Sequence, residues 1–263
     1  YDIKNKPSNK DIEENPDGKY DGIYLNRLID GLYTPGSTFK VITAISAIQN
    51  VSDIGSFEYK CSGEEVVGGV KVTCPSKHGK MNFHESFSNS CNCAFAVLSE
   101  KIGKENLQAT ALQMGFGESF SFGDGSTSAS QINLSDASSG DVAWASVGQY
   151  NTLVNPYHML TVIGAVANGG EAILPYAVSN VTTPAGRVTE EASPESRIYL
   201  DGTIAGEIGQ MMRKTVENKY GDYNFQGLSM CGKTGTAEVG DEEKPHSWFV
   251  GFSQNEKCPI AIV

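Results

Sequence analysis

The 263-residue chain has few basic residues and no long apolar run. Lys and Arg number 20 against 31 Asp and Glu, so the formal net charge is −11. No run of four or more basic residues occurs, whereas nucleic-acid binding requires such clusters. No stretch of 18 apolar residues occurs either. The sequence therefore predicts no nucleic-acid partner and no membrane-spanning segment within this chain.

The six cysteines lack the C-x-x-C pairs of common zinc sites, and only four histidines accompany them. This spacing predicts no zinc site. Cys61 and Cys74 bracket a Gly-rich stretch that is typical of a small hairpin; they are candidates for a disulfide in an oxidising compartment, or for free thiols. Cys91, Cys93 and Cys231 are expected to be small buried side chains.

The composition is that of an ordinary globular protein, with 39% hydrophobic and 19% charged residues. No signal peptide is visible at Tyr1, and residues 1–20 are polar and turn-rich. The last residues, 259–263, form an apolar run typical of a strand. We therefore expect a fragment whose anchoring segments lie outside this sequence.

The pattern of apolar residues changes along the chain from helical spacing to strand-like runs. Helices are predicted over 41–48, 92–103, 105–114, 135–147, 157–167 and 203–219. Strands are predicted over 229–239, 247–252 and 258–263, with a turn-rich segment at 240–246. Because the connections between these strands are short, we expect an antiparallel meander with helices packed on it, which is an α+β fold.

The segment YTPGSTFK at 33–40 turns at Pro35-Gly36 and opens the first long helix. Ser37 and Lys40 are three residues apart, so on a helix they share one face. A hydroxyl beside an amine is an arrangement that activates serine without a histidine. The alternative is a capped core helix with a lysine at its edge.

Two further motifs follow in order. Ser90-Cys91-Asn92 precedes a predicted helix, where Ser90 could also be an ordinary N-cap; the same spacing recurs at Ser253-Gln254-Asn255. Lys233-Thr234-Gly235-Thr236 lies inside a predicted strand, where the glycine indicates close approach of a ligand or another backbone, or a simple bulge. S-x-x-K, S-x-N and K-T-G in this order are the motif set of penicillin-binding proteins and serine β-lactamases.

With these motifs, the sequence resembles the transpeptidase domain of class B penicillin-binding proteins over essentially its full length. Asn155-Pro156 stands where Thr-Pro is usual in that family. Further matches are Leu25-Asn26-Arg27, Gly31-Leu32-Tyr33, His78-Gly79, Gly148-Gln149, Ala167-Asn168-Gly169-Gly170, Ala237-Glu238 and Ser247-Trp248-Phe249-Val250-Gly251-Phe252.

The resemblance implies a β-lactamase/transpeptidase-like fold, in which an antiparallel sheet flanked by helices meets an all-helical subdomain and the active site lies at their junction. Residues 1–263 would form one transpeptidase domain, without its N-terminal strands, the pedestal domain and the membrane anchor.

The resemblance also implies the catalytic roles. Ser37 would attack the D-Ala-D-Ala carbonyl of a peptidoglycan stem peptide, with Lys40 as its base. Lys40 must be neutral to accept the proton, so its pKa must be depressed by burial and neighbouring cations. Ser90, between Lys40 and Lys233, would relay the proton to the leaving amine. The backbone N–H groups of Ser37 and Thr236 would form the oxyanion hole.

The remaining motif residues are implied to bind the substrate. Asn92 would hydrogen-bond its amide, and Lys233, Thr234 and Thr236 would hold its terminal carboxylate. Gly235 would let it lie against the strand. β-Lactams mimic D-Ala-D-Ala and would acylate the same serine.

No metal or organic cofactor is expected. The implied partners are stem peptides, β-lactams and a glycosyltransferase of the cell-wall synthesis complex, at the extracytoplasmic face of the bacterial membrane.

Three related activities remain open at this level. A serine β-lactamase shares the motifs, but the Glu-x-x-Leu-Asn signature of class A is missing and S-x-N replaces the S-x-V of class D. A β-lactam sensor domain acylates and signals without turnover. A D,D-carboxypeptidase uses water in place of the acceptor amine.

Overall fold

The computed structural model describes residues 4, 6–122, 125–174, 176, 178–237 and 245–263. The helices in these residues are α1 (Asn9–Glu14), α2 (Lys40–Asn50), α3 (Phe83–Ser88), α4 (Asn92–Ile102), α5 (Lys104–Gln113), α6 (Ser139–Ser146), α7 (Pro156–Ala167) and α8 (Gly202–Thr215). The strands are β1 (Glu58–Cys61), β2 (Glu64–Val67), β3 (Val70–Thr73), β4 (Gly79–Asn82), β5 (Ser121–Phe122), β6 (Gly125–Ser126), β7 (Glu171–Ile173), β8 (Asn180–Thr182), β9 (Val188–Glu191), β10 (Ser196–Ile198), β11 (Met230–Ala237), β12 (His246–Ser253) and β13 (Ala261–Ile262).

The main sheet is the antiparallel meander β11-β12-β13. Gly235 is paired with Trp248, and Gly251 with Ile262. The remaining strands form two-stranded antiparallel ladders, β1 with β4, β2 with β3, β5 with β6, β7 with β10 and β8 with β9. The predicted meander is confirmed; most of the turn predicted at 240–246, and residues 238–239 of the first strand, lie outside the described residues.

Helix α2 lies at the junction of two layers. On one side, α8 packs on β11 and α7 on β12; on the other, α4, α5 and α6 form a helical group. Helix α2 contacts α4, α5 and α8, and its residues 40–47 are all buried. Its apolar residues therefore join both layers into one core, which confirms the predicted α+β fold.

Two helices begin or end at other residues than the sequence predicted. Helix α6 starts at Ser139 because Ser138 forms a capping box with Asp141, in which each side chain accepts from the other residue's backbone N–H. Helix α8 ends at Thr215 and continues as one wide π-helical turn, Val216–Tyr220. None of the helices described is long and apolar enough to cross a membrane.

Cys61 and Cys74 were candidates for a disulfide or for free thiols, and the structure shows free thiols. The predicted hairpin forms as β2–β3, and Cys61 and Cys74 flank it, but all six cysteines are free thiols. Cys74 Sγ lies 3.6 Å from Cys91 Sγ and 3.4 Å from Cys93 Sγ, well beyond the S–S bond length of about 2.05 Å. Cys61 and Cys74 are free thiols in this structure, which is the second of the two alternatives, and burial of Cys91, Cys93 and Cys231 is confirmed.

Candidate active site

Ser37 lies in a single 3-10 turn, Gly36–Thr38, directly before α2. The helix that this segment was predicted to open begins at Lys40, so Ser37 lies in the turn before it rather than on the helix face of Lys40. The N-cap residue, Pro35, makes no side-chain hydrogen bond to the turn. Instead, Thr38 Oγ1 donates to Pro35 O at 2.8 Å and closes the turn. The turn leaves Ser37 partly exposed while its neighbours on both sides are buried.

Two neighbouring segments hold this turn in place. The backbone N–H of Gly36 donates to Gly148 O at 2.9 Å, and Trp248 Nε1 donates to Thr34 O at 3.0 Å. The first bond joins the turn to the segment after α6, and the second joins it to β12. The position of Ser37 is therefore set by both layers of the fold rather than by α2 alone.

Gly148 and Gly235 permit this close approach. Gly148 has φ +79°, and a Cβ there would overlap Gly36 O. A Cβ on Gly235 would lie 2.7 Å from Pro35 O, inside van der Waals contact. The glycine of K-T-G thus accommodates the backbone of the Ser37 turn, which was one of the two alternatives that a glycine within a strand indicated.

We expect Gly148→Ala to unfold at lower temperature than the wild type. The left-handed backbone alone costs about 1–3 kcal/mol for a non-glycine residue, and the overlap with Gly36 O adds to it. In a chain of this size each kcal/mol lowers the melting temperature by roughly 2–4 °C. Gly164→Ala is the matched control, because a Cβ there, within α7, meets nothing within 4 Å. Equal melting temperatures for the two variants would contradict this role of Gly148.

Lys40 is completely buried and faces four oxygen atoms. Its Nζ lies 2.9 Å from Ser37 Oγ, 3.2 Å from Ser90 Oγ, 3.0 Å from Ser90 O and 2.7 Å from Asn92 Oδ1. A neutral amine has two hydrogens and one lone pair. Donation to Ser90 O and Asn92 Oδ1 uses both hydrogens, so the lone pair can accept the proton of the Ser37 hydroxyl.

Burial also favours the neutral amine. Desolvation lowers the pKa of Lys40 from its usual 10.5 to about 7, against an opposing effect of the nearby Cys74, Cys91 and Cys93 sulfurs. The pKa of Lys233 is likewise lowered, first by burial and then by the positive charge of Lys40. Burial is the main cause of both shifts, as expected for the base, whereas the neighbouring cation that was also expected to lower the pKa of Lys40 is not among the causes.

Ser90 connects the two lysines. Its Oγ lies 3.2 Å from Lys40 Nζ and accepts from Lys233 Nζ at 2.9 Å. Lys233 Nζ also donates to Thr234 O at 2.9 Å. Ser90 has φ 52°, a left-handed conformation that is uncommon for serine and recurs at functional sites. Hydrogen bonds thus link Ser37, Lys40, Ser90 and Lys233 in one chain.

Replacing Lys233 by methionine is expected to lower the second-order rate of acylation by a penicillin about 10- to 100-fold. A hydrogen bond to a charged group contributes about 1.5–3 kcal/mol, and methionine keeps the buried stem without the charge. The rate is measured with a fluorescent penicillin at concentrations below saturation, and Lys219→Met is the control, since Lys219 lies on the surface-exposed turn after α8. An unchanged rate for Lys233→Met would contradict its role.

Asn92 is held by the protein at both ends of its amide. Its Oδ1 accepts from Lys40, and its Nδ2 donates to Thr73 O at 2.9 Å. Asn92 is the first residue of α4, and Cys91 is its N-cap. In this structure the side chain orients Lys40 and ties the start of α4 to β3. Its binding to a substrate amide stays a prediction.

A cleft of about 720 Å³ opens above these groups. Ser37, Ser90 and Asn92 line one side of it, and Thr234 and Thr236 of β11 line another. The backbone of Thr236 packs directly against the Ser37 turn. The approach is so close that a Cβ added to Gly36 would lie 2.5 Å from Thr236 O. Five of the eight motif residues thus line the cleft. Lys40 and Lys233 are completely buried and reach it through their hydrogen bonds to Ser90, and Gly235 packs against the Ser37 turn.

Thr234 is oriented by a contact that the sequence motifs did not predict. Tyr220 OH lies 2.8 Å from Thr234 Oγ1 and accepts from its backbone N–H at 2.9 Å. Tyr220 ends the π-helical turn after α8, a feature that apolar spacing does not predict. The cleft is also lined by Trp144 and Gln149; Gln149 belongs to the Gly-Gln match, whereas Trp144 carried no motif signal.

Comparison with known proteins identifies the family. The penicillin binding protein transpeptidase domain matches residues 3–263. The peptidoglycan D,D-transpeptidase PbpA of Mycolicibacterium smegmatis is 27% identical over 261 residues, covering 91% of this chain and 51% of that protein. Stage V sporulation protein D of Bacillus subtilis is 27% identical over 244 residues, covering 88% of this chain and 37% of that protein. The chain thus spans about half or less of these relatives.

Solved structures agree with this comparison. The D,D-transpeptidase domain of a peptidoglycan glycosyltransferase from Eggerthella lenta has a TM-score of 0.84 at 27% identity, covering 96% of this chain and 64% of that chain. A ceftriaxone acyl-enzyme complex of penicillin-binding protein A from M. tuberculosis shares the fold, with a TM-score of 0.82 at 22% identity, covering 96% and 58% of the two chains. The chain therefore belongs to the penicillin-binding protein transpeptidase domain family.

Proposed function

We propose that this domain is a serine D,D-transpeptidase that cross-links peptidoglycan stem peptides and is acylated by β-lactams. The observation that carries the proposal is the hydrogen-bonded chain from Ser37 through Lys40 and Ser90 to Lys233 at the base of one cleft. It supplies a nucleophile, a neutral base and a proton relay, and the amine of Lys233 would be a cation for the substrate carboxylate when the bound carboxylate favours its protonated form.

The first half-reaction forms an ester. Lys40 takes the Ser37 proton as Oγ attacks the carbonyl of the penultimate D-Ala. The backbone N–H groups of Ser37 and Thr236 stabilise the oxyanion. As the peptide bond breaks, the proton passes from Lys40 through Ser90 to the leaving nitrogen, and D-Ala departs as an amine. The stem peptide remains esterified to Ser37.

The second half-reaction reverses these proton transfers. The amine of another stem peptide attacks the ester, and its proton returns to Ser37 Oγ by way of Lys40. A new amide bond then joins the two peptides. Water in place of the amine gives D,D-carboxypeptidase activity from the same intermediate.

Substrate binding is assigned to β11 and α4. Lys233, with the hydroxyls of Thr234 and Thr236, would hold the terminal carboxylate by charge-assisted hydrogen bonds. Asn92 would contact the substrate amide through the second hydrogen of its Nδ2. β-Lactams carry the same carboxylate beside a reactive amide, so they would occupy these positions and acylate Ser37.

The lining of the cleft favours a long-lived acyl-enzyme over a β-lactamase. Deacylation by water requires a base beside the ester, and class A β-lactamases use a glutamate. Among the described residues, no Asp or Glu side chain lines the cleft. The penicilloyl ester would therefore persist, as in a transpeptidase or a sensor.

The experiment combines a peptide ending in D-Ala-D-Ala, an amine acceptor and the purified chain. We expect release of D-Ala together with the cross-linked product, both detected by mass spectrometry and both missing for Ser37→Ala. D-Ala release without cross-linked product would favour a carboxypeptidase, and stable acylation without either product would favour a sensor. A penicilloyl ester that hydrolyses within seconds would favour a β-lactamase.

We also propose where the domain acts. Its substrate lies outside the cytoplasm, so the extracytoplasmic face of the membrane is the expected location, and a membrane glycosyltransferase of the cell-wall synthesis complex is the expected partner. Co-purification of the full-length protein with a membrane glycosyltransferase tests the partner.

A further inference from the structure

A cluster of three thiols and an imidazole lies beside the active site. One sulfur or ring nitrogen from each of Cys61, Cys74, His78 and Cys91 falls within 4.8 Å of all the others. The four residues come from the end of β1, the residue after β3, the loop before β4 and the turn before α4. Four short segments between residues 61 and 91 therefore place four soft and borderline donors around one point.

The spacing and chemistry of these donors fit a tetrahedral ion. Zinc–sulfur bonds of about 2.3 Å give an S···S edge of about 3.8 Å, and Cys74 Sγ lies 3.6 Å from Cys91 Sγ. Cys61 and Cys91 are buried, and His78 Nδ1 is shielded from solvent without any hydrogen-bond partner. A buried imidazole nitrogen without a partner is costly unless a ligand satisfies it.

Backbone N–H groups already point at two of the sulfurs. The N–H of Cys93 donates to Cys74 Sγ at 3.5 Å, and that of Ala94 donates to Cys91 Sγ at 3.4 Å. Both donors lie in the first turn of α4. Such outer hydrogen bonds stabilise metal-bound thiolates and fix the ligands in place.

We propose that Cys61, Cys74, His78 and Cys91 bind one zinc ion. A Cys3His set with four protein ligands leaves no open coordination position, so the ion is structural and binds neither the substrate nor the reacting atoms. The lack of C-x-x-C pairs predicted no zinc site; the fold instead assembles the ligands from separate segments.

The site would fix the turn that carries Ser90 and Asn92. Cys91 is the middle residue of that motif, so a bond from its sulfur to an ion anchored on β1 and the β3–β4 connection restrains both neighbours. Ser90 holds its left-handed φ of 52° in this turn. The ion thus acts on catalysis through position, as support for the Lys40–Ser90 contact.

Cys93 lies near the cluster but is not one of the proposed ligands. Its Sγ is 3.4 Å from Cys74 Sγ but also lies 3.6 Å from Val72 O, to which the thiol donates. A thiol that donates to a carbonyl keeps its proton, whereas a zinc ligand must lose it. Cys93 therefore stays outside the proposed set, although it is as buried as Cys91.

The test is the metal content of the purified, untagged chain by inductively coupled plasma mass spectrometry. We expect one zinc per wild-type chain, and at least a tenfold lower content after dialysis for Cys61→Ala, Cys74→Ala and His78→Ala. Cys93→Ala and Cys258→Ala should keep one zinc each. Wild-type protein without zinc, a disulfide within the cluster, or equal zinc in His78→Ala and wild type would overturn the proposal.

Wild-type chain alone supplies a second measurement, which keeps the test valid if a ligand variant fails to fold. Reconstitution of chelated protein with Co²⁺ should give thiolate charge-transfer bands and the intense visible bands of a tetrahedral ion. Chelation should also lower the melting temperature, and zinc should restore it. Octahedral Co²⁺ spectra, or a melting temperature indifferent to both treatments, would contradict the site. These readouts do not depend on transpeptidase activity.

Discussion

Ser37→Ala is expected to form no covalent adduct with a penicillin, whereas wild type is fully labelled. Alanine removes the attacking oxygen, and among the residues that the structure describes no other hydroxyl is as close to Lys40 Nζ as Ser37 Oγ at 2.9 Å. The fold should survive, because the turn is closed by bonds from Gly36 and Thr38 rather than from the Ser37 side chain. Labelling is measured by gel fluorescence after incubation with a fluorescent penicillin.

Ser46→Ala is the matched control for this variant. Ser46 is a second serine of α2, and its hydroxyl bonds Asn106 O and the Thr110 side chain, away from the cleft. It should label at the wild-type rate. Equal labelling of Ser37→Ala and wild type would assign the nucleophile to another residue.

Lys40→Met is expected to slow acylation about 10²- to 10⁴-fold, the usual contribution of a general base. Methionine fills the buried space of the lysine stem but cannot accept a proton. Lys101→Met, on the exposed end of α4, should leave the rate unchanged. A Lys40→Met rate within threefold of wild type would remove Lys40 from the mechanism.

The same base sets the pH dependence of the wild-type enzyme. The pKa of Lys40 is about 7, and only the neutral amine accepts the Ser37 proton. The protonated fraction rises below that pH, so the second-order rate should fall about tenfold per pH unit below about 7 and level off above it. A flat profile from pH 5 to 9 would contradict an amine base at this position.

The sequence predicted the motif geometry well because each motif needs a particular local structure. S-x-x-K requires a helix start, S-x-N an interhelical turn and K-T-G a strand, and the chain supplies each in order. The finer geometry of the Ser37 turn was not predictable, since its 3-10 form depends on the bond from Gly36 to Gly148 O and the packing against Gly235, both remote in sequence.

Contacts between distant segments account for the other differences. Tyr220 reaches Thr234 only because a π-helical turn follows α8, and no spacing rule signals that turn. Cys61 and Cys74 gave an ambiguous signal because their spacing fits either a disulfide or free thiols, and Cys91 was expected only to be a small buried side chain. Only the fold shows that these sulfurs meet beside His78.

Peptide mapping of the chain after reaction with penicillin identifies the acylated residue directly. The hydrogen-bonded chain Ser37–Lys40–Ser90–Lys233 predicts one penicilloyl ester per molecule, carried by the peptide that contains Ser37 and still present after an hour. An adduct on any other residue, or no adduct on the folded wild-type chain, would contradict the assignment of Ser37 as the nucleophile.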